Sequence, residues 1–461
     1  MAATTGSMEL IGGSRLQRRI AHADFSQSGD MDANPDWRDN IDLLVSRLGL
    51  VSEVTPYAFR GLPDLNNCIA DAGTVLPGNQ LSRARPVQGI GRALGSRKSA
   101  RAIAVAEAAE RYAGSEFLNQ PMLTCNAESV PGPTIDLSSV PCCSEEEYNQ
   151  PGCQLSPPDW QLPMRWVQGV DLYSNRKFFL PAVMALWGMK PLPSENFWYQ
   201  ISTGYAVHTN ITSALFRAVS EVVERDAIAI TWMQQLPLPV LAETVEDTET
   251  RALVSWAESH FMKLHLYDAT TDISLPAAYA LLRAPHDRRM ATTVACATGL
   301  TLRSAAWKAA LDAVATKLGL SSSMSAPPAT ISEIVEVEDG ARFMARPEMQ
   351  PAFNFLTNDN DARRMSDKNV AFARNEQQGL RRLVGILGDA AMEVIAVNRT
   401  TRELASAGLV AVVVIVPKLQ PMSLNPFVQF RAHPRLYSAP AKMHFPVLAE
   451  HELNQFPQPF A

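Results

Sequence analysis

A short phrase, Glu-x-x-Glu-Arg, occurs twice in this chain and constrains its fold more than any other feature. The two copies, VAEAAERYAG and VSEVVERDAI, contain Glu107, Glu110, Arg111, Glu221, Glu224 and Arg225. Apolar residues recur three and four positions apart around each copy, so each predicts a helix with its two carboxylates on one face. The near-identity of the two copies indicates a shared structural task.

The residues around both copies are mostly Ala, Val and Ile, which predicts semi-buried helices. Four partly buried carboxylates are costly unless positive charge compensates them. Two arginines supply part of that charge, and Mg²⁺ bridging to phosphates can supply the rest, because hard cations take carboxylate oxygens. The pattern therefore predicts a nucleotide site without a P-loop, and the alternative is two solvated ion pairs at helical spacing.

Composition sets the class of protein. The chain has 461 residues, is 46% hydrophobic and 19% charged, and carries a net charge of −6. This predicts a globular protein with an extensive core and more than one subdomain. The mild acidity argues against a nucleic-acid partner, although Arg92, Arg97, Lys98 and Arg101 form a small basic cluster before the first motif that could hold an anion.

Export and membrane insertion are not expected. The N-terminus lacks the apolar core of a signal peptide, and the longest apolar run, from Gly408 to Val416, is too short to span a bilayer. That run predicts a buried strand. Six cysteines in a chain without an export signal are expected to be reduced thiols, so a cytoplasmic location is expected.

Other recognisable sites are poorly supported. Cys125, Cys142, Cys143 and Cys153 lie in a proline-rich loop, but no two of them have the spacing usual for structural zinc. The glycines between Gly89 and Gly95 miss both the Walker and the dinucleotide fingerprints. No Ser-His-Asp arrangement can be inferred from spacing.

The chain is divided into an N-terminal extension, residues 1–75, and a main domain, residues 76–461. Motif helices are expected near 97–117 and 212–234, with Thr212 as the N-cap of the second. Further helices are expected near 37–48, 251–261, 304–320 and 378–387, and strands near 51–57, 164–172, 177–184, 197–209, 263–270, 291–300, 392–400 and 408–416. From Pro417 the chain is expected to be irregular, ending in a proline-restricted tail. The fold class is mixed α/β.

These residues resemble the YcaO family. The resemblance rests on Glu-x-x-Glu-Arg-Tyr after a Gly-rich turn, Ser202-Thr203-Gly204 before the second copy, VPKLQPM, HPRLY and the terminal Phe-Pro-x-Pro-Phe. It runs from about residue 76 to the end. The proline-rich tail resembles most the cyclodehydratases that form thiazolines and oxazolines in ribosomally made peptides. The implied fold is several α/β subdomains, with carboxylate-bearing helices around a nucleotide site.

The resemblance implies a reaction. A Cys, Ser or Thr side chain of a precursor peptide attacks the preceding amide carbonyl, and ATP phosphorylates the amide-derived oxygen, which leaves as phosphate. Positive charge at the transferring phosphoryl group and in-line positioning are what the enzyme must supply. The implied cofactors are ATP and Mg²⁺. Thioamide or amidine formation is another chemistry of the family, disfavoured by the tail.

The resemblance also assigns residues. Metal binding falls to Glu107, Glu110, Glu221 and Glu224. ATP binding falls to those four and to Arg92, Arg111, Arg225, Asp312 and Lys317. In the tail, Pro457, Pro459 and Ala461 are expected to line the active site.

Three positions depart from the family pattern. Ile103 stands where a Ser usually precedes the first Glu, and its side chain cannot bond a nucleotide. In a later helix, Ala315 and Lys317 stand where the pattern has Gln and Arg. An alternative is therefore a non-catalytic or weakened YcaO subunit serving as a scaffold, and a further one is an unrelated enzyme whose repeated motif is structural.

Partners are implied by the resemblance. Residues 1–75 contain no complete domain for recognising a leader peptide, so an E1-like or winged-helix partner protein is expected. A flavin-dependent (FMN) dehydrogenase often accompanies such relatives. The expected assembly is a homodimer within a complex that receives the precursor peptide.

Overall fold

The structure is a computed structural model, and it describes residues 37–59, 61–62, 64–72, 87–115, 120–241, 247–322, 325–357, 365–366 and 371–460. The strands are β1 Val51–Ala58, β2 Leu65–Ala72, β3 Val87–Leu94, β4 Leu123–Cys125, β5 Met164–Asp171, β6 Lys177–Pro181, β7 Tyr205–His208, β8 Val240–Leu241, β9 Lys263–Asp268, β10 Ala277–Arg283, β11 Thr292–Thr298, β12 Met365–Ser366, β13 Ile395–Asn398 and β14 Val410–Ile415. The α-helices are α1 Trp37–Asp42, α2 Arg97–Ser115, α3 Glu145–Tyr148, α4 Ile211–Met233, α5 Thr248–Ser259, α6 Leu302–Ser322, α7 Asp339–Met344, α8 Asn354–Thr357, α9 Glu376–Asp389, α10 Arg402–Ser406 and α11 Arg435–Lys442. The predicted mixed α/β class is confirmed.

A three-stranded antiparallel sheet in the order β1-β2-β3 carries the first motif helix, α2, on one face. Gly89 and Gly91 of β3 allow this close approach. A Cβ built on Gly89 would lie 2.1 Å from the Ala104 carbonyl oxygen, and one on Gly91 would lie 1.9 Å from that of Ala100. These glycines therefore serve strand-to-helix packing and lie in a strand, whereas the sequence predicted a turn.

The second motif helix, α4, packs on a six-stranded sheet with the path β4-β5-β13-β14-β7 and β6 beside β5. The predicted strand from Gly408 is confirmed as β14, which is buried along its whole length. Alternate valines of β14 face α4 and α9 in one core cluster. The N-cap of α4 is Asn210, whose side chain accepts from the N–H groups of Thr212 and Ser213, so the prediction of Thr212 as N-cap was wrong.

The third sheet has the order β11-β10-β9-β8-β12 and is covered by α5 and α6. Small residues of α6, which is Leu302–Ser322, fill the core against β10 and β11. The sequence predicted β9, β11 and both helices but missed β10, because its continuous apolar run, AAYALLR, has no alternation.

Several predicted boundaries change in the structure. The helix predicted over 37–48 ends at Asp42, and the strand predicted over 197–209 is confined to Tyr205–His208. The strands β1 and β2, from the predicted extension 1–75, share a sheet with β3, so this described part of the extension packs with the first motif unit. Within the described segments, no helix combines the length and apolar character needed to cross a bilayer.

The segment after Pro417 is ordered by polar contacts, and it contains the helix α11, where the sequence predicted irregular chain. Asp226, which follows the second motif, accepts from Arg435 Nη2 at 2.7 Å and from the Gln420 N–H at 2.8 Å. Both partners belong to the VPKLQPM and HPRLY motifs. Those motifs therefore fasten the C-terminal segment to α4.

Candidate functional site

The two motif copies present their first glutamate in the same way. The Ile90 N–H donates to Glu107 Oε2 at 2.8 Å, and the Gly204 N–H donates to Glu221 Oε2 at 3.0 Å. In both copies the donor lies 17 residues before the glutamate. A backbone N–H from β3 in the first copy, and from the turn before β7 in the second, therefore fixes each carboxylate.

The arginine four residues later completes each unit. Arg111 Nη2 donates to Glu107 Oε1 at 2.7 Å and Arg225 Nη2 donates to Glu221 Oε1 at 3.1 Å. Arg111 also donates to the Gln88 carbonyl oxygen at 2.7 Å. These contacts hold the guanidinium groups beside the carboxylates with further N–H groups available for an anion.

The second glutamate differs between the copies. Glu224 is 6% exposed and accepts from the Thr298 N–H at 2.8 Å. Its carboxylate lies 3.9 Å from Arg225 Nη1 and 4.0 Å from Lys308 Nζ. Burial and the neighbouring carboxylates of Glu221 and Glu107 raise the pKa of Glu110 well above its ordinary range, and outweigh the nearby arginines.

Both motif helices face one cavity of about 650 Å³. Its charged lining includes Arg92, Glu107, Arg111, Glu221 and Arg225. The opposite walls come from residues 199–203, from the C-terminal end of α6 and from Glu338 and Arg342 at α7. The structure therefore brings the two copies together, as the sequence predicted.

The helix α6 adds a third charged group. Asp312 Oδ1 lies 3.9 Å from Arg92 Nη1. Burial raises the pKa of Asp312, with Lys308 and Arg92 opposing that rise. Residues 308, 312 and 316 share one helix face at four-residue spacing, and Thr316 lines the cavity. This face of α6 thus adds Lys308 and Asp312 to the charged groups of the two motifs.

Lys317 is not brought to this cluster. Its ammonium group donates to Asp287 Oδ2 and, at 2.6 Å, to the Met290 carbonyl oxygen, and the side chain is buried. The hydrogen bond and charge of Lys317 lower the pKa of Asp287 to about 2, against the opposing effect of burial. Lys317 anchors the β10–β11 loop in this structure, and its predicted contact with ATP stays a prediction.

The tail approaches the cavity indirectly. Pro457 and Pro459 are buried, and the Trp232 Nε1–H donates to the Phe456 carbonyl oxygen at 3.0 Å. A Cβ on Gly340 of α7 would lie 2.5 Å from the Gln458 carbonyl oxygen, so the tail packs tightly on the helix whose Glu338 and Arg342 line the cavity. Ala461 lies outside the described residues.

The donor set suits a hard cation that is shared with phosphates. Glu107 and Glu221 line the cavity, whereas its described lining includes neither Glu110 nor Glu224. Carboxylate oxygens are appropriate ligands for Mg²⁺, which keeps several waters and takes only one or two carboxylates beside substrate phosphates. In the described part of the chain, no group of three or more His, Cys, Asp or Glu residues forms a metal cage made of protein alone. The residues present therefore fit a cation held jointly with a ligand.

The model of the family described as YcaO cyclodehydratase, ATP- and Mg²⁺-binding, matches residues 91–420. This chain belongs to the YcaO family. An uncharacterised protein in the tfuA 3′ region of Rhizobium leguminosarum bv. trifolii is 27% identical over 160 residues, which cover 32% of this chain and 33% of that protein. The match thus spans about a third of this curated relative.

Solved structures show the same fold. A heterocyclase in complex with substrate and cofactor superposes with a TM-score of 0.77 at 17% identity, over 94% of this chain and 58% of that one. YcaO from Methanopyrus kandleri bound with AMPPCP and Mg²⁺ gives 0.58 at 17% identity, over 88% and 91%. The E. coli microcin synthetase McbBCD complex with pro-MccB17 bound gives 0.62 at 12% identity, over 89% and 96%.

The departures from the YcaO pattern fall in different places. Ile103 lies on α2 one turn before Glu107 and is 39% exposed. Ala315 is fully buried in the core beneath α6, whereas Thr316 lines the cavity. The sequence-based alignment of the third helix therefore put a core residue, Ala315, at the position of a polar family residue.

Sequence reasoning missed several residues of this YcaO site. Lys308 could have been found, since it precedes Asp312 by four residues on the same helix. Thr298 gave no signal, because its role depends on the end of β11 meeting α4. Asn67 of β2 also lines the cavity, and it lies in the segment that the sequence set apart as an extension.

Proposed function

We propose that this chain is an ATP-dependent YcaO cyclodehydratase that converts Cys, Ser or Thr residues of a ribosomally made peptide to thiazolines or oxazolines. The observation that carries the proposal is the meeting of two identical Glu–Arg units on one cavity, each held by a backbone N–H 17 residues earlier. Such a site gives phosphates both cationic and cation-binding groups.

In the proposed reaction, the peptide thiol or hydroxyl loses its proton and attacks the preceding amide carbonyl carbon, and the resulting oxyanion takes the γ-phosphoryl group of ATP, which releases ADP. Cleavage of the carbon–oxygen bond then expels phosphate, and loss of the amide N–H proton gives the C=N bond of the ring. Arg92, Arg111 and Arg225 line the cavity, and their proposed role is to bind the phosphate oxygens and stabilise charge at the transferring group. Glu107, Glu110, Glu221 and Glu224 would hold Mg²⁺ when it is bound with ATP, and the cation would neutralise phosphate charge.

The charged groups of the second motif also shift one another's pKa values. Burial raises the pKa of Glu221, and Glu224 raises it further, while Arg225 opposes both. The Glu221 and Glu224 carboxylates in turn raise the pKa of Arg225. The contact with Arg225 thus offsets part of the cost of burying the Glu221 carboxylate and holds the two groups together beside the cavity.

We propose that the tail is part of this site through α7. The carbonyl groups of Gln458 and Phe460, which flank Pro459, lie nearest to Gly340, and we propose that Pro457, Pro459 and Ala461 line the active site. For partners we propose a separate E1-like or winged-helix protein that binds the peptide leader, with an FMN-dependent dehydrogenase as a later enzyme and a homodimer as the core. The support is that McbBCD was solved as a complex with pro-MccB17. We also propose a cytoplasmic location, because the cytosol supplies ATP and nascent peptides.

A second candidate is a YcaO scaffold without turnover, and the exposed apolar Ile103 beside Glu107 favours it. A third is a YcaO that forms thioamides or amidines. The product mass separates these chemistries, since cyclodehydration removes one water per ring, whereas the scaffold leaves the peptide unchanged.

The test uses the full chain with its precursor peptide and leader-binding partner, and follows peptide mass and phosphate release. We expect one phosphate per water lost, and loss of both in Glu107→Ala and Glu221→Ala. Glu376→Ala, at the partly exposed start of α9, is the control and should behave as wild type. Turnover retained in both motif variants would contradict the proposal, and water loss without phosphate would contradict the role of ATP.

A further inference from the structure

One row of residues crosses the three-stranded sheet on the face that lines the cavity. Tyr57 of β1, Asn67 of β2 and Arg92 of β3 lie directly opposite one another in register, and all three line the cavity. Residues opposite one another in antiparallel strands point to the same face. The other face of β2, with Cys68 and Ala70, packs with α2 in the core. We call these three residues the row.

Asn67 is the buried member of the row. It is 7% exposed, and its Oδ1 has no hydrogen-bond partner within the described structure. Buried side-chain oxygens almost always accept a hydrogen bond, and leaving one unpaired is unfavourable. Since Asn67 lines the cavity, the missing donor is best supplied by a molecule bound there.

The ends of the row differ in chemistry. Tyr57 is 41% exposed, and its ring meets the ring of Phe59 edge-on at 5.4 Å, which leaves an aromatic surface at one end. At the other end, Arg92 lies 3.9 Å from Asp312, and its buried Nε has no hydrogen-bond partner among the residues that the structure describes. Aromatic, amide and guanidinium groups therefore follow one another across the sheet.

Neighbouring strands are about 4.8 Å apart, so the row spans roughly 10 Å. That length is comparable with the span of an extended nucleotide from its base to its phosphates. Aromatic rings stack on bases, and guanidinium groups bind phosphate. Between those parts a nucleotide carries ribose hydroxyls, which are the donors that Asn67 Oδ1 lacks.

We propose that the row is the ribose- and base-recognising part of the nucleotide site, with Asn67 accepting a hydrogen bond from a ribose hydroxyl. This rests on the proposed function only in requiring that ATP binds in this cavity. Arg92 then meets the phosphates beside the carboxylate cluster, and Tyr57 packs on the base. Asn67 is a specificity-determining residue for ribonucleotides.

The test is calorimetric binding of ATP, 2′-deoxyATP and 3′-deoxyATP to the full chain with Mg²⁺. We expect wild type to bind one deoxy analogue about 5- to 10-fold more weakly than ATP, as the loss of one hydrogen bond gives. Asn67→Ala should weaken ATP by the same factor and bind ATP and that analogue equally. The control is Asn66→Ala, since Asn66 donates to the Asp64 carbonyl oxygen and lies outside the cavity lining.

A second variant keeps the proposal testable if Asn67→Ala disturbs folding. Tyr57→Ala should weaken ATP several-fold and leave binding of inorganic triphosphate unchanged. Equal binding of all three nucleotides by wild type, or unchanged discrimination in Asn67→Ala, would overturn the proposal while leaving the carboxylate site intact. Absence of any ATP binding by wild type would overturn this proposal and the proposed function together.

Discussion

The two motif copies are alike at their first glutamate and differ at their second. Glu107 and Glu221 have the same donors at the same spacing, a backbone N–H and the arginine four residues later. Glu224 accepts a hydrogen bond from Thr298 and lies near the cationic groups of Arg225 and Lys308. At Glu110, burial and the carboxylates of Glu221 and Glu107 raise the pKa and outweigh the nearby arginines. The repeat in sequence thus gives a site that is only partly symmetric.

The difference arises from the third sheet. The end of β11 and the helix α6 approach the second copy and supply Thr298 and Lys308. At the first copy, the raised pKa of Glu110 favours its protonated form until a cation arrives. We infer that the second copy is preorganised and that the first copy responds to the ligand.

The largest expected contrast is in stability. Glu224→Gln removes the charge that faces Arg225 and Lys308, and should lower the free energy of unfolding by about 2 kcal/mol. Glu110→Gln should lower it by less than Glu224→Gln does, because the raised pKa of Glu110 favours its uncharged form, which Gln resembles. Urea denaturation without nucleotide measures both, and equal losses would remove the contrast.

The pH dependence of stability sharpens the same contrast. Because the pKa of Glu110 is raised in the folded protein, the folded state binds more protons than the unfolded state between pH 4.5 and that raised value. The free energy of unfolding therefore falls as pH rises through this window, by up to about 1.4 kcal/mol per pH unit. This fall should be absent in Glu110→Gln, so the difference between the wild-type and variant stabilities should change across the window; parallel pH curves would contradict this expectation.

A smaller effect is expected at Lys308. Its side chain is about half exposed and 4.0 Å from Glu224, so Lys308→Met should cost less than about 0.5 kcal/mol of stability. The same change should weaken ATP binding about 3- to 10-fold, since it removes a positive charge next to the cluster. Arg217→Met, which removes a surface pair with Glu376, is the control, and equal weakening there would show a general charge effect.

The sequence predicted what is local and periodic. Both motif helices, the strand β14 and the pairing of Glu with Arg at four-residue spacing follow from patterns that neighbouring residues carry. It missed features that depend on tertiary contacts. Thr298 reaches Glu224 only because β11 ends beside α4, and Asn67 reaches the cavity only because β2 pairs with β3.

The side-chain directions of Ala315 and Lys317 on α6 also depend on tertiary packing, which the sequence pattern did not reveal. Successive side chains on a helix are about 100° apart, so Ala315 points into the core and Lys317 toward Asp287 while Thr316 lines the cavity. The Asp226–Arg435 pair likewise gives the HPRLY motif a structural role that its letters did not reveal.

The most direct test of the carboxylate site is calorimetric titration of ATP into wild type and Glu110→Gln at pH 6, with and without Mg²⁺, in two buffers of different ionisation enthalpy. We expect wild type to bind ATP only with Mg²⁺ and to release more protons on binding than Glu110→Gln, because the raised pKa of Glu110 favours a protonated form that a cation displaces. Glu110→Gln should also bind more weakly. Binding that is independent of Mg²⁺, or equal proton release by both proteins, would contradict the account.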